Sequence, residues 1–198
     1  KITKPGRPAA EIVAEVLEAT IRTFPWPKSM RWGSGSLRWV RPLQSILCIL
    51  SNEAEVSVVP LEVDGIKSGN QTRGHRFMAP DAFAVRSFED YETKLKRAKV
   101  ILRAEERQAA IWQEAETQAF ALGHCVVEDA GLLAEVAGLV EWPVVLMGQI
   151  DEEFLDLPPE VLKTSMKEHQ KFFSVENPKT GRIERFVTVA NIEAADQG

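Results

Sequence analysis

Apolar side chains recur at helical spacing near the start of the chain: Ile12, Val13, Val16, Leu17, Ile21 and Phe24. That period predicts an amphipathic helix from Pro8 to Phe24, with the proline near its first turn. Pro25-Trp26-Pro27 stops it, because a helix does not continue through two imino acids. Leu37–Val40 and Leu43–Leu50 then read as strands, or as a strand followed by a buried helix, and periodicity does not choose between them. From Glu55 to Val63 the alternation of Val56, Val58, Leu61 and Val63 predicts a strand, with Pro60 placing it at an edge or bulge. Asp64-Gly65 is a turn signal. The stretch from Gly69 to Pro80, GNQTRGHRFMAP, reads as a glycine-punctuated loop carrying Arg73, His75 and Arg76. Phe83–Val85 reads as a short strand.

Ser87, with Asp90 three residues on, predicts a capping box opening a long helical stretch to Leu122. Tyr91, Leu95, Ala98 and Leu102 share one face of it, and Ile111, Ala115, Ala119 and Leu122 continue the pattern. Gly123 suits the position just past a helix end. His124–Val127 reads as a strand, Ala130–Val140 as a helix, and Val144–Met147 as a buried strand opened by Pro143. Pro158-Pro159 suits the first turn of a further helix over Glu160–Phe172. Leu162 and Met166 fall on one of its faces. Lys163, Lys167 and Lys171, four apart, form a ridge on another. A strand over Arg182–Ile192 follows the turn Asn177–Gly181. Strands and helices mix without βαβ alternation, which predicts an α+β fold: a mixed or antiparallel sheet packed with helices. Residues 1–198 read as a single module, with an inserted helical hairpin over 87–122 as an open alternative.

With 198 residues, 44% of them hydrophobic, the chain can bury a substantial core. No apolar run approaches the roughly 20 residues that cross a bilayer, and no secretion signal is visible at the start. Cys48 and Cys125 sit in apolar contexts without CxxC spacing, and so read as buried, reduced thiols of a cytoplasmic protein. The net charge of −5 argues against a free-standing nucleic-acid binder. Charge is nevertheless polarised along the chain. Between Glu18 and Glu53 there are five cations (Arg22, Lys28, Arg31, Arg38, Arg41) and no acid. Between Arg103 and Lys163 there are thirteen acids against Arg107 alone.

Catalytic signatures are sparse. His75, His124 and His169 lie far apart and lack zinc-ligand spacing. There is no GxSxG and no P-loop, and Gly33-Ser34-Gly35-Ser36 reads as a turn. Ser165 and His169 sit four apart on the expected helix, with no third group to orient the imidazole. What stands out is the interleaving of cations and aromatics in Trp26, Lys28, Arg31, Trp32, Arg38, Trp39 and Arg41. Guanidinium groups bind phosphate bidentately and indoles stack on unpaired bases, so this composition suits single-stranded or looped RNA. The alternative is that the tryptophans are core residues and the arginines pair with the acidic half. For the lysine ridge the alternative is a solvated face.

Several long blocks carry a resemblance: MRWG, RWVRPLQSILCIL, TRGHRFMAP, LVEWPVVLMGQIDEEFLDLPPEVLKTSMKEHQKFFSV and RFVTVANI. In this order, from about Pro8 to Ile192, the chain resembles the beta subunit of bacterial tetrameric glycyl-tRNA synthetase. That subunit is much longer, so the resemblance implies an N-terminal-side fragment. It further implies a share in ATP-dependent ligation of glycine to tRNA(Gly). The aminoacylation site, with its ATP and Mg, is then expected on the alpha subunit, with no cofactor and no catalytic residue in this fragment. The beta subunit is expected to serve tRNA binding and assembly. Expected partners are the alpha subunit, a second beta subunit or the remaining beta domains, and tRNA(Gly). Candidate phosphate contacts are Lys163, Lys167, Lys171, Arg73, Arg76, Arg31, Arg38 and Arg41. Two other readings are a pure interaction scaffold and an editing-like pocket, the latter requiring His75, His169 or Ser165 to meet a carboxylate.

Overall fold

The computed structural model describes residues 5–52 and 55–193. The packing forms two compact units. One comprises Lys1–Arg73 with Asp81–Lys94, the other Gly74–Pro80 with Leu95–Gly198. The architecture is α+β, as the mixed pattern predicts.

In the first unit, helix α1 (Ala9–Thr23) lays Leu17 and Ile21 on a small core of Leu37, Leu61 and Val63. The undecided run Leu43–Leu50 resolves into two short strands, β1 (Ile46–Leu47) and β2 (Ile49–Ser51). The strand expected over Glu55–Val63 is split at Pro60, which has no N–H for a ladder. Its pieces are β3 (Val56–Val58), antiparallel to β2, and β4 (Glu62–Val63). Asp64 and Gly65, both at positive φ (54° and 83°), make the tight turn into β5 (Ile66–Gly69). Strand β5 pairs with β4 antiparallel and with β1 parallel. Ser68 repairs the interruption at Pro60: its hydroxyl donates to the Val59 carbonyl (2.6 Å) and accepts from the Leu61 N–H (2.9 Å). Part of the expected loop is strand as well, because β6 (Gln71–Arg73) pairs with β7 (Ala82–Ala84).

The long helical stretch is two helices, α2 (Phe88–Arg97) and α3 (Ala104–Ala121). The Ser87 cap forms with its return bond shifted by one residue: Ser87 Oγ accepts from the Asp90 N–H, while the Asp90 carboxylate accepts from the N–H of Arg86, just before the cap. Beyond α2 the chain turns back at Lys99, in the left-handed region (φ 60°), and the Val100 N–H reaches the Leu95 carbonyl.

The second unit is a four-stranded antiparallel sheet. Along the chain come β8 (Cys125–Val126), helix α4 (Ala130–Leu139), β9 (Val144–Gln149), helix α5 (Pro159–Ser165), β10 (Phe173–Asn177) and β11 (Arg182–Ala190). The strand order is β8-β10-β11-β9. Helices α3 and α4 cover one face, where Ile111, Ala115, Leu132 and Val136 meet Val145, Phe173, Val175 and Val187. Arg107, the lone cation of the acidic region, is used inside this unit. Its guanidinium donates to the carbonyls of Ala137, Ile101 and Leu102 at 2.7–2.8 Å, satisfying one of the carbonyls left unpaired at the end of α4.

The other face carries Ile183 and Ile150 beneath Leu162 and Met166. Here the helix expected over Glu160–Phe172 breaks. After Ser165 the chain widens into a π-helical turn, Met166–Gln170, which ends at Lys171 in the left-handed region (φ 58°). The wider turn brings Phe172 back over the sheet, its ring stacked on Phe186 at 4.8 Å and nearly parallel (6°). Phe186 in turn lies across Gly148 of the neighbouring strand, where a Cβ would overlap its ring.

Two substitutions test these accounts. Ser68→Ala leaves the Val59 carbonyl and the Leu61 N–H without partners at two buried residues, and should cost about 1–3 kcal/mol in denaturant unfolding. Gly148→Ala drives a methyl into the Phe186 ring and should cost about 1–3 kcal/mol. Phe186→Leu in the same chain should recover part of that loss; no loss in Gly148→Ala would refute the close approach.

Candidate nucleic-acid interface

In the first unit, the segment that leaves α1 folds around aromatic rings. Phe24 and Trp26 lie 4.5 Å apart, Trp26 and Trp39 4.9 Å, and Phe24 and Trp39 5.8 Å. Met30 and Trp39 exchange backbone hydrogen bonds (2.8 and 3.2 Å), closing a loop whose tip turns at Gly33, φ 56°. Trp32 packs on the Leu37–Leu61–Val63 core. The tryptophans are therefore half-buried props that hold the loop, and the cations between them point outward. Arg38 donates to Ser29 Oγ (3.3 Å) and Arg41 to the Val40 carbonyl (3.0 Å). Among the described residues, Lys28, Arg31, Arg38 and Arg41 make no ion pair with a carboxylate. The two readings open at the sequence level are thus divided: the indoles pack, and among the described residues the arginines do not pair with acids.

The lysine ridge behaves differently. Lys167 lies 2.6 Å from Asp129, Lys171 3.0 Å from Glu135, and Lys163 3.7 Å from Glu176. These partners sit on α4, its N-cap and β10, so the ridge stitches α5 and the π turn to the rest of its own unit. Asp129 does two jobs, accepting from the Leu132 N–H (2.9 Å) as N-cap of α4 as well as pairing with Lys167. The Lys167 ammonium first, and that N–H second, hold the Asp129 carboxyl below its ordinary range. The same pair, seen from Lys167, raises the ammonium.

The two loop arginines fall in different units. Arg73 ends β6, opposite Ala82, whereas Arg76 lies beside the exposed Phe77, its guanidinium carbon 5.6 Å from the ring centroid. Between them His75 is only 1% exposed. Its N–H donates to the Ala98 carbonyl (2.8 Å), and its Nδ1 accepts from the N–H groups of Phe77 and Met78 (3.2 Å each). The ring proton therefore sits on Nε2, which is buried and without a partner among the described residues. His75 thus serves as the pin of a turn.

Among the described residues, Ser165 shares a cleft with a carboxylate, Asp151, with no hydrogen bond between the two, and neither His75 nor His169 pairs with an acid. Ser165 lines a cleft beside α5, His169 is exposed on the π turn, and His75 is enclosed in its loop. Sequence reasoning missed the histidine that does meet one. His124 Nε2 lies 3.1 Å from Glu184 Oε2, with Nδ1 2.8 Å from the Leu122 carbonyl. The Asn177 amide first, then His124, hold the Glu184 carboxyl below its usual range. The pair is 60 residues apart in sequence, so no local spacing announces it. Cys125, expected to be buried, is exposed, and Cys48 is half-buried; burial raises the Cys48 thiol. Among the described residues no three His, Cys, Asp or Glu side chains are grouped to hold a metal, and no helix is long and apolar enough to cross a membrane.

The Asp129 geometry carries a pH signature. Because its folded-state carboxyl is depressed, its contribution is present above the ordinary aspartate range near pH 4 and is lost as pH falls below it. Asp129→Ala should cost about 1 kcal/mol at neutral pH through the missing cap. Asp129→Asn should keep the cap, lose the ion pair and flatten the acid limb of the stability–pH curve. An unchanged acid limb would show that the pairing with Lys167 contributes nothing.

Against known proteins, residues 1–198 match the family model described as glycyl-tRNA synthetase beta subunit. The chain is 75% identical over 197 residues to the glycine–tRNA ligase beta subunit of Ruegeria sp. (strain TM1040) and 74% identical to that of Paracoccus denitrificans. It is 55% identical over 199 residues to that of Phenylobacterium zucineum. Each match takes in all of this chain and 29% of the relative, so the chain spans under a third of their length. The long blocks that carry the resemblance, and the family model that takes in the chain from end to end, agree: the chain belongs to the glycyl-tRNA synthetase beta subunit family.

Proposed function

We propose that this chain is a tRNA-holding and assembly module of glycyl-tRNA synthetase, working in the cytoplasm. It supports ATP-dependent ligation of glycine to tRNA(Gly) while bond formation, with ATP and Mg, takes place on the alpha subunit. The observation that carries this reading is the set of four exposed cations, Lys28, Arg31, Arg38 and Arg41, in the segment of a three-ring aromatic cluster, with no ion pair to a carboxylate among the described residues. Arginine forks match phosphate oxygens, and the exposed edge of Phe24 offers a stacking surface beside them. Arg73 and Arg76 are secondary candidates. Lys163, Lys167 and Lys171 are weaker ones, because RNA there would have to displace Glu176, Asp129 and Glu135.

The test uses the full-length subunit assembled with its alpha partner. Arg31→Glu/Arg38→Glu/Arg41→Glu should weaken tRNA binding at least about tenfold near physiological salt. The slope of log K against log salt should fall by about 0.7–0.9 for each phosphate no longer neutralised. Glycyl-adenylate formation without tRNA should be unchanged. Lys163→Gln/Lys167→Gln/Lys171→Gln should lower the melting temperature more than it lowers tRNA affinity. Affinity and salt slope left intact by the arginine changes would overturn the reading.

A further inference from the structure

Helix α5 has two unlike sides. On one, its lysine and those of the π turn are neutralised by acids of the same unit. On the other lies an open cleft of about 510 Å³ with an apolar floor of Ile150, Leu162, Met166 and Phe186. Its lip is apolar too: Phe154, Leu157 and Val161 are 45%, 41% and 51% exposed. Large apolar side chains grouped around a concave floor mark an interaction site more than scattered surface residues do.

The rim decides what fits. Asp151 lines the cleft, and Glu152, Glu153, Asp156 and Glu160 lie in the same short stretch as its lip residues Phe154, Leu157 and Val161; all five acids are exposed. Only Asp156 meets a cation among the described residues, Arg182 at 3.7 Å. The lysines that could have neutralised the others are held on the far side of the helix. An apolar floor bordered on one side by an unpaired carboxylate and an exposed acidic stretch favours an apolar ligand with positive flanks and repels polyanions.

We propose that this cleft is a docking site for a short polypeptide segment within the assembled synthetase, one that buries two or more large apolar side chains and flanks them with lysine or arginine. The relatives are more than three times as long as this chain, so the assembled enzyme contains further segments able to supply it. The inference rests on membership of the family and not on the arginines proposed to hold tRNA. It gives the assembly role a place on the molecule.

The experiment places the photo-crosslinker p-benzoyl-phenylalanine at Val161 in the full-length subunit, assembled with the alpha subunit, and identifies the attached peptide by mass spectrometry. A second subunit adds Asp151→Lys/Glu152→Lys/Glu153→Lys. These residues are exposed, so circular dichroism and melting temperature should match the parent. The expected result is one crosslinked segment of the synthetase, apolar at its centre with at least two flanking cations. Its yield should fall about fivefold or more in the reversed rim and should fall as salt rises to about 0.5 M. No crosslink, a crosslink confined to tRNA or to a segment without cations, or a yield indifferent to the reversed rim would each overturn the proposal. Measuring tRNA affinity in the same preparations separates the two ideas, since the rim reversal should leave it undiminished.

Discussion

Strand β11 pairs on both edges and places apolar side chains on both faces, and that double burial decides where the neighbouring elements can go. Val187 and Val189 point into the core under α3 and α4. Phe186 points the other way, and Ile183 joins it only because the register between β10 and β11 shifts after Val175. A regular ladder would have sent Ile183 to the same side as Val187, since strand side chains alternate with a period of two. The bulge gives the second face two large apolar groups instead of one. Helix α5 and the π turn then have something to cover, and Gly148 leaves the space in which the Phe186 ring lies flat.

That second face also explains why the lysine ridge does not present a bare positive surface. Docking α5 by Leu162 and Met166 turns Lys163, Lys167 and Lys171 toward α4 and β10, where Glu135, Asp129 and Glu176 wait. Each pair is half-exposed and individually weak, so hydrophobic burial holds the helix and the ion pairs select its orientation. Positive charge in the second unit is largely internal. In the first unit the order is reversed: aromatic side chains pack to shape a loop, and among the described residues the cations between them make no ion pair with an acid.

Elements with a single strong signal were legible in the sequence. Helix α1 between its prolines, the Ser87–Asp90 cap, Gly123 past the end of α3, and strands β9 and β11 all follow from periodicity and local stereochemistry. The failures have a common cause, which is that non-local packing overrode a local pattern. Lys99 interrupts an unbroken helical period with a left-handed residue that no side-chain chemistry foretells, and the π turn does the same beyond Ser165. β6 was hidden because its three residues take their strand conformation only from pairing with β7. For the site, residue types were readable but partners were not. The three lysines looked alike in sequence to the three arginines, and only the fold shows that one set is paired with acids and the other is not.

Two local surfaces therefore differ in the charge left unpaired among the described residues: cations beside aromatic rings at the loop of Lys28 to Arg41, carboxylates beside apolar side chains at the cleft by α5. A phosphate backbone approaching the cleft would meet Asp151 and, in the same exposed stretch, Glu152, Glu153 and Glu160, carboxylates without an ion pair among the described residues. The same backbone approaching the loop of Lys28 to Arg41 meets four cations without an ion pair among the described residues, with the Asp64 carboxylate beside Gly35, and would gain counterion release with each phosphate neutralised. Under the two proposals above, electrostatics would sort the partners, directing RNA to one surface and a basic polypeptide to the other. It lets a chain with a net charge of −5 contain a patch able to bind nucleic acid, because what an approaching polyanion feels is the local field within a screening length and not the sum over the molecule.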